Sequence, residues 1–271
     1  MGVLNVTPDS FSDGGLYLDA QSAIAHGVEL TEQGAHILDV GGESTRPGAD
    51  PVDEPTEIYR VIPVIAGLAE ALSSTPTPVQ ISIDTSKTAV AEEALGAGAT
   101  LVNDVTAFRA DPSIAGVVAA AGADCCLMHM QGTPSTMQRS PSYADVVSEV
   151  KSFLEGRLSF AVSEGISEER VLLDPGIGFG KTPSHNLTLL RRLDEIVALG
   201  RPVVVGTSRK SFLGAIAASP RGSGGGGEDR LPGTIATNVL ALERGATVFR
   251  VHDVAPLAAA LAVAAATLSA T

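Results

Sequence analysis

Short apolar runs that end abruptly in a polar residue recur eight times along this chain. The first four are Val3-Leu4-Asn5, Ile37-Leu38-Asp39, Ile81-Ser82-Ile83-Asp84 and Leu101-Val102-Asn103-Asp104. Leu127-Met128-His129, Leu172-Leu173-Asp174, the run from Val203 to Ser208 and Val248-Phe249-Arg250-Val251-His252 complete the set. Runs of this length bounded by turn signals read as buried strands. Helix-length stretches separate them, at roughly 19–34, 54–73, 87–97, 111–121, 143–164, 184–199, 232–244 and 255–269. Asp111-Pro112 reads as a cap and first-turn proline. Eight such strand–helix alternations predict an α/β fold, a (β/α)8 (TIM) barrel, whose chemistry gathers at the C-terminal ends of the strands.

Composition refines this picture. A chain of 271 residues, 44% of them hydrophobic, suits one barrel domain spanning 1–271 with a substantial core. The net charge of −13 argues against a nucleic-acid footprint and against anionic membranes. No signal peptide or membrane span is visible, and the expectation is a cytoplasmic enzyme. Strand one begins almost at Met1, so its lower end is expected to be short and frayed. The Gly-rich stretch near 219–229 reads as a flexible insertion in the seventh strand–helix connection. Cys125 and Cys126, adjacent on one strand, point to opposite faces and read as buried thiols rather than a disulfide or a zinc site.

The strand ends carry the candidate chemistry. Asn5 opens a long polar loop containing Phe11 and Asp13, which reads as a mobile lid, and a second glycine-flanked loop carries Thr45, Arg46 and Pro47. Asp84, Asn103 and Asp174 offer acceptors that suit a metal or a base edge rich in N–H donors. Asp39 and Asp104 are as readily structural. Opposite in sign stand Lys210 and the alternating pair Arg250 and His252, which suit a phosphate or pyrophosphate clamp; a salt bridge from Arg250 to Asp253 or another acid is the competing reading. His26, His36 and His185 read as structural, and His129 has no assigned role.

These motifs together resemble the dihydropteroate synthase family. The resemblance rests on Gly2–Gly15, Asp39–Gly48, Ser82–Thr85, Asn103-Asp104, Leu127–Gly132, Leu173–Lys181, Ser208–Gly214 and Arg250–Val254, in family order across almost the whole chain. It implies condensation of hydroxymethyl dihydropterin pyrophosphate with 4-aminobenzoate to dihydropteroate and pyrophosphate. It further implies that Asp84, Asn103, Asp174 and Lys210 hold the pterin, that Asn5 ligates Mg2+, and that Arg250 and His252 bind pyrophosphate. Thr45, Arg46, Pro47, Phe179, Lys210 and Ser211 would surround aminobenzoate, with Phe11 and Asp13 closing over the site. Asp13, Asp84 and Lys210 are the catalytic candidates, in a dissociative displacement with no covalent enzyme adduct. The family is typically homodimeric, and the apolar last helix is compatible with that. Two alternatives are a pterin-dependent methyltransferase, which has no need of the anion clamp, and a catalytically silent pterin-binding paralogue.

Overall fold

The computed structural model describes residues 1–7, 16–44, 50–217 and 230–270. Phe11, Asp13, Thr45, Arg46, Pro47 and the Gly-rich insertion lie outside them. Six parallel strands form one continuous ladder: β1 (Gly2–Asn5), β2 (Ile37–Gly41), β3 (Gln80–Asp84), β4 (Leu101–Asp104), β5 (Asp124–Met128) and β6 (Val171–Asp174). β7 (Val204–Val205) and β8 (Val248–Phe249) pair with each other. Single parallel bridges join Leu173 to Val203 and Gly2 to Val251, so the ring closes through both ends of that pair. β1 is therefore held on both sides rather than frayed: it pairs with β2, and the Val3 amide donates to Val251 O at 2.9 Å.

Helices follow the strands as the apolar spacing predicts. They are α1 (Leu16–Glu32), α2 (Glu54–Leu72), α3 (Thr88–Gly96), α4 (Ser113–Ala121), α5 (Val146–Ser163), α6 (Pro183–Arg191), α7 (Asp194–Val197), α8 (Ser211–Ala217), α9 (Leu231–Glu243) and α10 (Val254–Leu268). Side-chain caps set several starts. Asp53 accepts from the Thr56 amide ahead of α2, and Asp145 accepts from the Val147 and Ser148 amides ahead of α5. Thr182 and His185 form a reciprocal capping box at α6, which gives His185 a structural role.

Three expectations need correction. The sixth helix breaks at Arg192 into α6 and α7, and the Arg192 guanidinium spans the break by pairing with Glu195 and Asp145. A short helix, α8, follows β7 and was not anticipated. Asp111 divides itself between two helix starts, with Oδ2 accepting from the Thr88 hydroxyl at 2.5 Å and Oδ1 from the Ser113 amide at 3.1 Å. Cys125 and Cys126 are buried free thiols. No helix among the described residues is long and apolar enough to cross a membrane.

The core is continuous between the strands and the helices around them, with Leu4, Leu38, Ile83, Leu101, Leu127 and Leu173 fully buried. Burying one such side chain contributes roughly 2 kcal/mol. The consequence for function lies in register. Asn5 pairs with Gly41, Gly41 with Asp84, and Asp84 with Asn103. Three strands thus deliver a polar side chain, Asn5, Asp84 and Asn103, at one level of the rim, with Gly41 leaving space between them.

Candidate active site

One wall of the mouth is built from β1 to β4 with strand eight. The second apolar run continues past Asp39 to Gly41. Alternation puts Asp39 and Gly41 on the same face, so Asp39 sits one layer below the rim. It is fully buried, and its Oδ1 accepts from Ser82 Oγ at 2.6 Å. Its Oδ2 accepts from Asn103 Nδ2 at 3.1 Å and from Arg250 Nε at 2.6 Å. Arg250 also donates from Nη2 to Asp84 Oδ2 at 2.7 Å. Its acid partners are therefore Asp39 and Asp84; Asp253 pairs with Arg209 instead.

Charge in this wall is strongly perturbed. Burial pushes the Asp84 carboxyl up from its ordinary value, with Arg250 pulling against it and Asp39 adding to it. Burial disfavours the Arg250 cation too, yet Asp39 and Asp84 outweigh that and hold it above its ordinary value. Asp104, by contrast, turns away to the loop beyond β4, where it accepts from the Thr106 and Phe108 amides at 2.7 Å each. It is a loop staple.

The other wall is made by the loop after β6. Asp174 is buried and accepts from the Gly176 amide at 2.7 Å. Burial raises its carboxyl, and the Lys210 ammonium opposes that rise. The backbone bends through Gly176 and Gly178 at φ of 66° and 84°. Only glycine fits either place. A Cβ on Gly176 would stand 1.9 Å from His129 O, and one on Gly178 would stand 2.8 Å from Lys210 Cδ. The Lys210 stem passes through the space Gly178 leaves, its ammonium donates to Ile177 O, and Nζ lies 4.5 Å from the Phe179 ring centroid. Burial lowers Lys210 to about 8, although Asp174 favours its cation. Phe179 packs on a small buried patch of Val105, Met128, Met130 and Met137, an apolar floor beside these charges.

The two walls meet at Gly206, after β7. A Cβ there would lie 3.8 Å from Arg250 Cβ and 3.9 Å from Lys210 Nζ. His252 is held by Ser208: Ser208 Oγ accepts from the His252 amide at 3.2 Å and lies 3.0 Å from its Nδ1. The Ser208 hydroxyl thus fastens both the backbone and the ring of His252, and the direction of the ring bond follows the ring's tautomer. Ser211 is exposed at the start of α8.

The structure thus brings Asp84, Asn103 and Arg250 into one network and Asp174, Phe179 and Lys210 into another. Four contributors escaped the sequence reading. Asp39 was read as a possible loop holder, and Ser82 and Ser208 carry no pattern of their own. Lys181 is buried, and its ammonium bonds His129 Nδ1 at 2.9 Å, Phe179 O at 3.0 Å and His129 O at 3.4 Å. Burial first, then Lys181 and Arg109, pushes His129 down to about 3, and burial likewise pushes Lys181 well below its ordinary value against the pull of Asp174.

Oxygen donors suited to a hard cation are also present. The points Asn5 Oδ1 and Asp84 Oδ2 lie 3.9 and 3.8 Å from where a Gly41 Cβ would stand. No group of three or more acid, histidine or cysteine side chains suited to a metal occurs among the described residues. Asp84 Oδ2 is already held by Arg250, so the Asn5 carboxamide oxygen is the donor left to hold a hard cation.

Comparison with known proteins decides the family. Residues 1–252 match the family of pterin binding enzymes. The dihydropteroate synthase of Escherichia coli strain K12 is 44% identical over 270 residues, covering 100% of this chain and 92% of the relative. The chain belongs to the dihydropteroate synthase family. Solved structures agree in fold as well. Xanthomonas albilineans dihydropteroate synthase with 4-aminobenzoic acid superposes with a TM-score of 0.88 at 44% identity, over 100% of this chain and 93% of that one. The same organism's dihydropteroate synthase in complex with 7,8-dihydropteroate gives a TM-score of 0.86 at 41% identity, with the same coverage of 100% and 93%.

Proposed function

We propose that the protein condenses 6-hydroxymethyl-7,8-dihydropterin pyrophosphate with 4-aminobenzoate, giving 7,8-dihydropteroate and pyrophosphate, as one barrel domain working in the cytoplasm as a homodimer. The observation that carries this reading is the meeting of two walls at Gly206, one pairing Asp39 and Asp84 with Arg250, the other setting Asp174 with Lys210 beside an apolar floor. Asp174 and Asn103 are acceptors for the N–H-rich pterin edge, and the Val105, Met128 and Met130 patch underlies the flat ring. Lys210 sits between the ring and Phe179, against which aminobenzoate packs, with Ser211 at its carboxylate.

The reacting bond joins the pterin methylene to a pyrophosphate oxygen. As it breaks, its electron pair leaves with the pyrophosphate, and the Arg250 cation with the His252 ring stabilises the charge that develops. Positive charge left on the methylene and ring is stabilised by Asp84, with Asp13 contributed by the first loop. The aniline nitrogen then supplies the pair for the new C–N bond and sheds its proton to water. Mg2+, ligated by Asn5 and carried on the phosphates, would supply further neutralisation of the leaving group. No residue of the chain is consumed, so catalysis is positioning and electrostatics.

The test is direct. Incubation with both substrates and Mg2+ yields dihydropteroate and pyrophosphate in equal amounts. Pterin binding without turnover under those conditions would favour the silent-paralogue reading, and release of pyrophosphate without any product containing aminobenzoate would contradict the condensation.

A further inference from the structure

An ionised group in the lining of a β/α barrel loses its hydration, and those layers are ordinarily filled by branched aliphatic side chains. Asp39 occupies such a place. It is fully buried, lies two residues before the end of β2, and faces the interior beneath Gly41. Donors from three strands converge on it: Ser82 from β3, Asn103 from β4 and Arg250 from strand eight. The last two share a single oxygen, Oδ2, at 3.1 and 2.6 Å.

That sharing fixes two orientations at once. A carboxylate only accepts, so Asn103 must turn its amide nitrogen to Asp39, which leaves its carbonyl oxygen for a ligand's N–H. The Arg250 fork is fixed in the same way. Nε is held by Asp39 and Nη2 by Asp84, and Nη1 has no acceptor among the described residues. A rigid planar fork with two corners tied presents its third in a set direction. Asn103 stands in the ring-binding part of the mouth and Arg250 in the anion-binding part.

We propose that Asp39 is a positioning residue for the reaction: through one carboxylate oxygen it sets the acceptor face of Asn103 and the donor face of Arg250, so that pterin ring and leaving group are registered to each other. This inference rests on the ring and anion assignments made above. Ser82 holds the remaining oxygen and so stops the carboxylate from turning out of line. A carboxylate that merely balanced the Arg250 charge would have no need of Asn103 on the same oxygen.

Calorimetric titration of 6-hydroxymethyl-7,8-dihydropterin and, separately, of inorganic pyrophosphate with Mg2+ tests this, alongside steady-state kinetics and melting curves. The proteins are wild type, Asp39→Asn and Ser82→Ala. Asp39→Asn is expected to weaken both ligands by about tenfold or more and to lower kcat roughly a hundredfold, because both bonds to that one oxygen lose their charge assistance together. Unchanged affinities and unchanged kcat, with only a lower Tm, would mean that Asp39 is structural and would overturn the proposal. So would a loss confined to one ligand. Where Asp39→Asn does not fold, Ser82→Ala decides: it is expected to weaken both ligands severalfold in parallel, and no change in either contradicts the proposal. Failure of the wild-type protein to bind the two ligands would instead remove the assignments on which it rests.

Discussion

The two walls of the barrel mouth reach similar chemistry by opposite construction. The wall from β1 to β4 is made by strand register, which sets Asn5, Gly41, Asp84 and Asn103 at one level, with Asp39 a layer beneath and Arg250 crossing from strand eight. The wall after β6 is made by a loop whose glycines let backbone and Lys210 pass within distances no side chain would allow. In the first, the binding groups hold one another in place by buried ion pairs. In the second, backbone carbonyls and Lys181 hold the loop, which carries Phe179 between Asp174 at the end of β6 and Lys210 beyond β7. The lesson is that the first wall should respond to substitutions through affinity and rate, and the second through folding as well.

The largest effect expected on that basis is at Gly176. Gly176→Ala places a methyl against His129 O at positive φ. It should cost about 4 kcal/mol and lower Tm by roughly 10 °C. A Tm within a degree or two of wild type in a thermal melt would show that the loop wall is not built on this close approach.

Lys210 sharpens the contrast by its charge. Its ammonium is lowered to about 8, so the cation is present below that pH and lost above it. The pH profile of kcat/KM should therefore carry an alkaline limb near 8, falling tenfold per unit. Lys210→Arg, which stays charged, should lose that limb while starting from a lower rate. An unchanged limb in the variant would assign it to another group.

A smaller effect is expected at Ser208, which serves neither wall directly. Ser208→Ala removes the hydroxyl that bonds His252 Nδ1 and should raise KM for the pyrophosphorylated substrate about fivefold with little change in kcat. Nitrogen chemical shifts of His252 should move toward a tautomer mixture. Unaltered shifts would show that Ser208 does not set the ring.

Sequence reasoning was served well wherever function coincides with a strand end. Asp84, Asn103 and Asp174 terminate apolar runs, and each stands at the end of its strand or one residue from it. It failed at Asp39 for a definable reason: the apolar run stops there, but the strand continues through Val40 and Gly41, which turns an apparent rim residue into an interior one. The partners of Arg250 lie 211 and 166 residues away, and only barrel closure brings them together. Lys181 was hidden by its type, since a lysine in a glycine-rich loop reads as exposed until its three acceptors are seen. The first and second loops were legible as polar, glycine-flanked loops, and the ligand roles of Phe11, Asp13, Thr45, Arg46 and Pro47, which lie outside the described residues, follow from the family resemblance.

The division of labour between the walls is tested most directly by the affinities of free and pyrophosphorylated hydroxymethyl dihydropterin for Arg250→Ala and Asp174→Asn. Arg250→Ala should weaken the pyrophosphorylated ligand by roughly a hundredfold while changing the free pterin much less. Asp174→Asn should weaken both ligands alike, because both carry the ring edge. Equal losses of both ligands in Arg250→Ala would contradict the assignment of an anion site at strand eight and, with it, the proposed route of the leaving group.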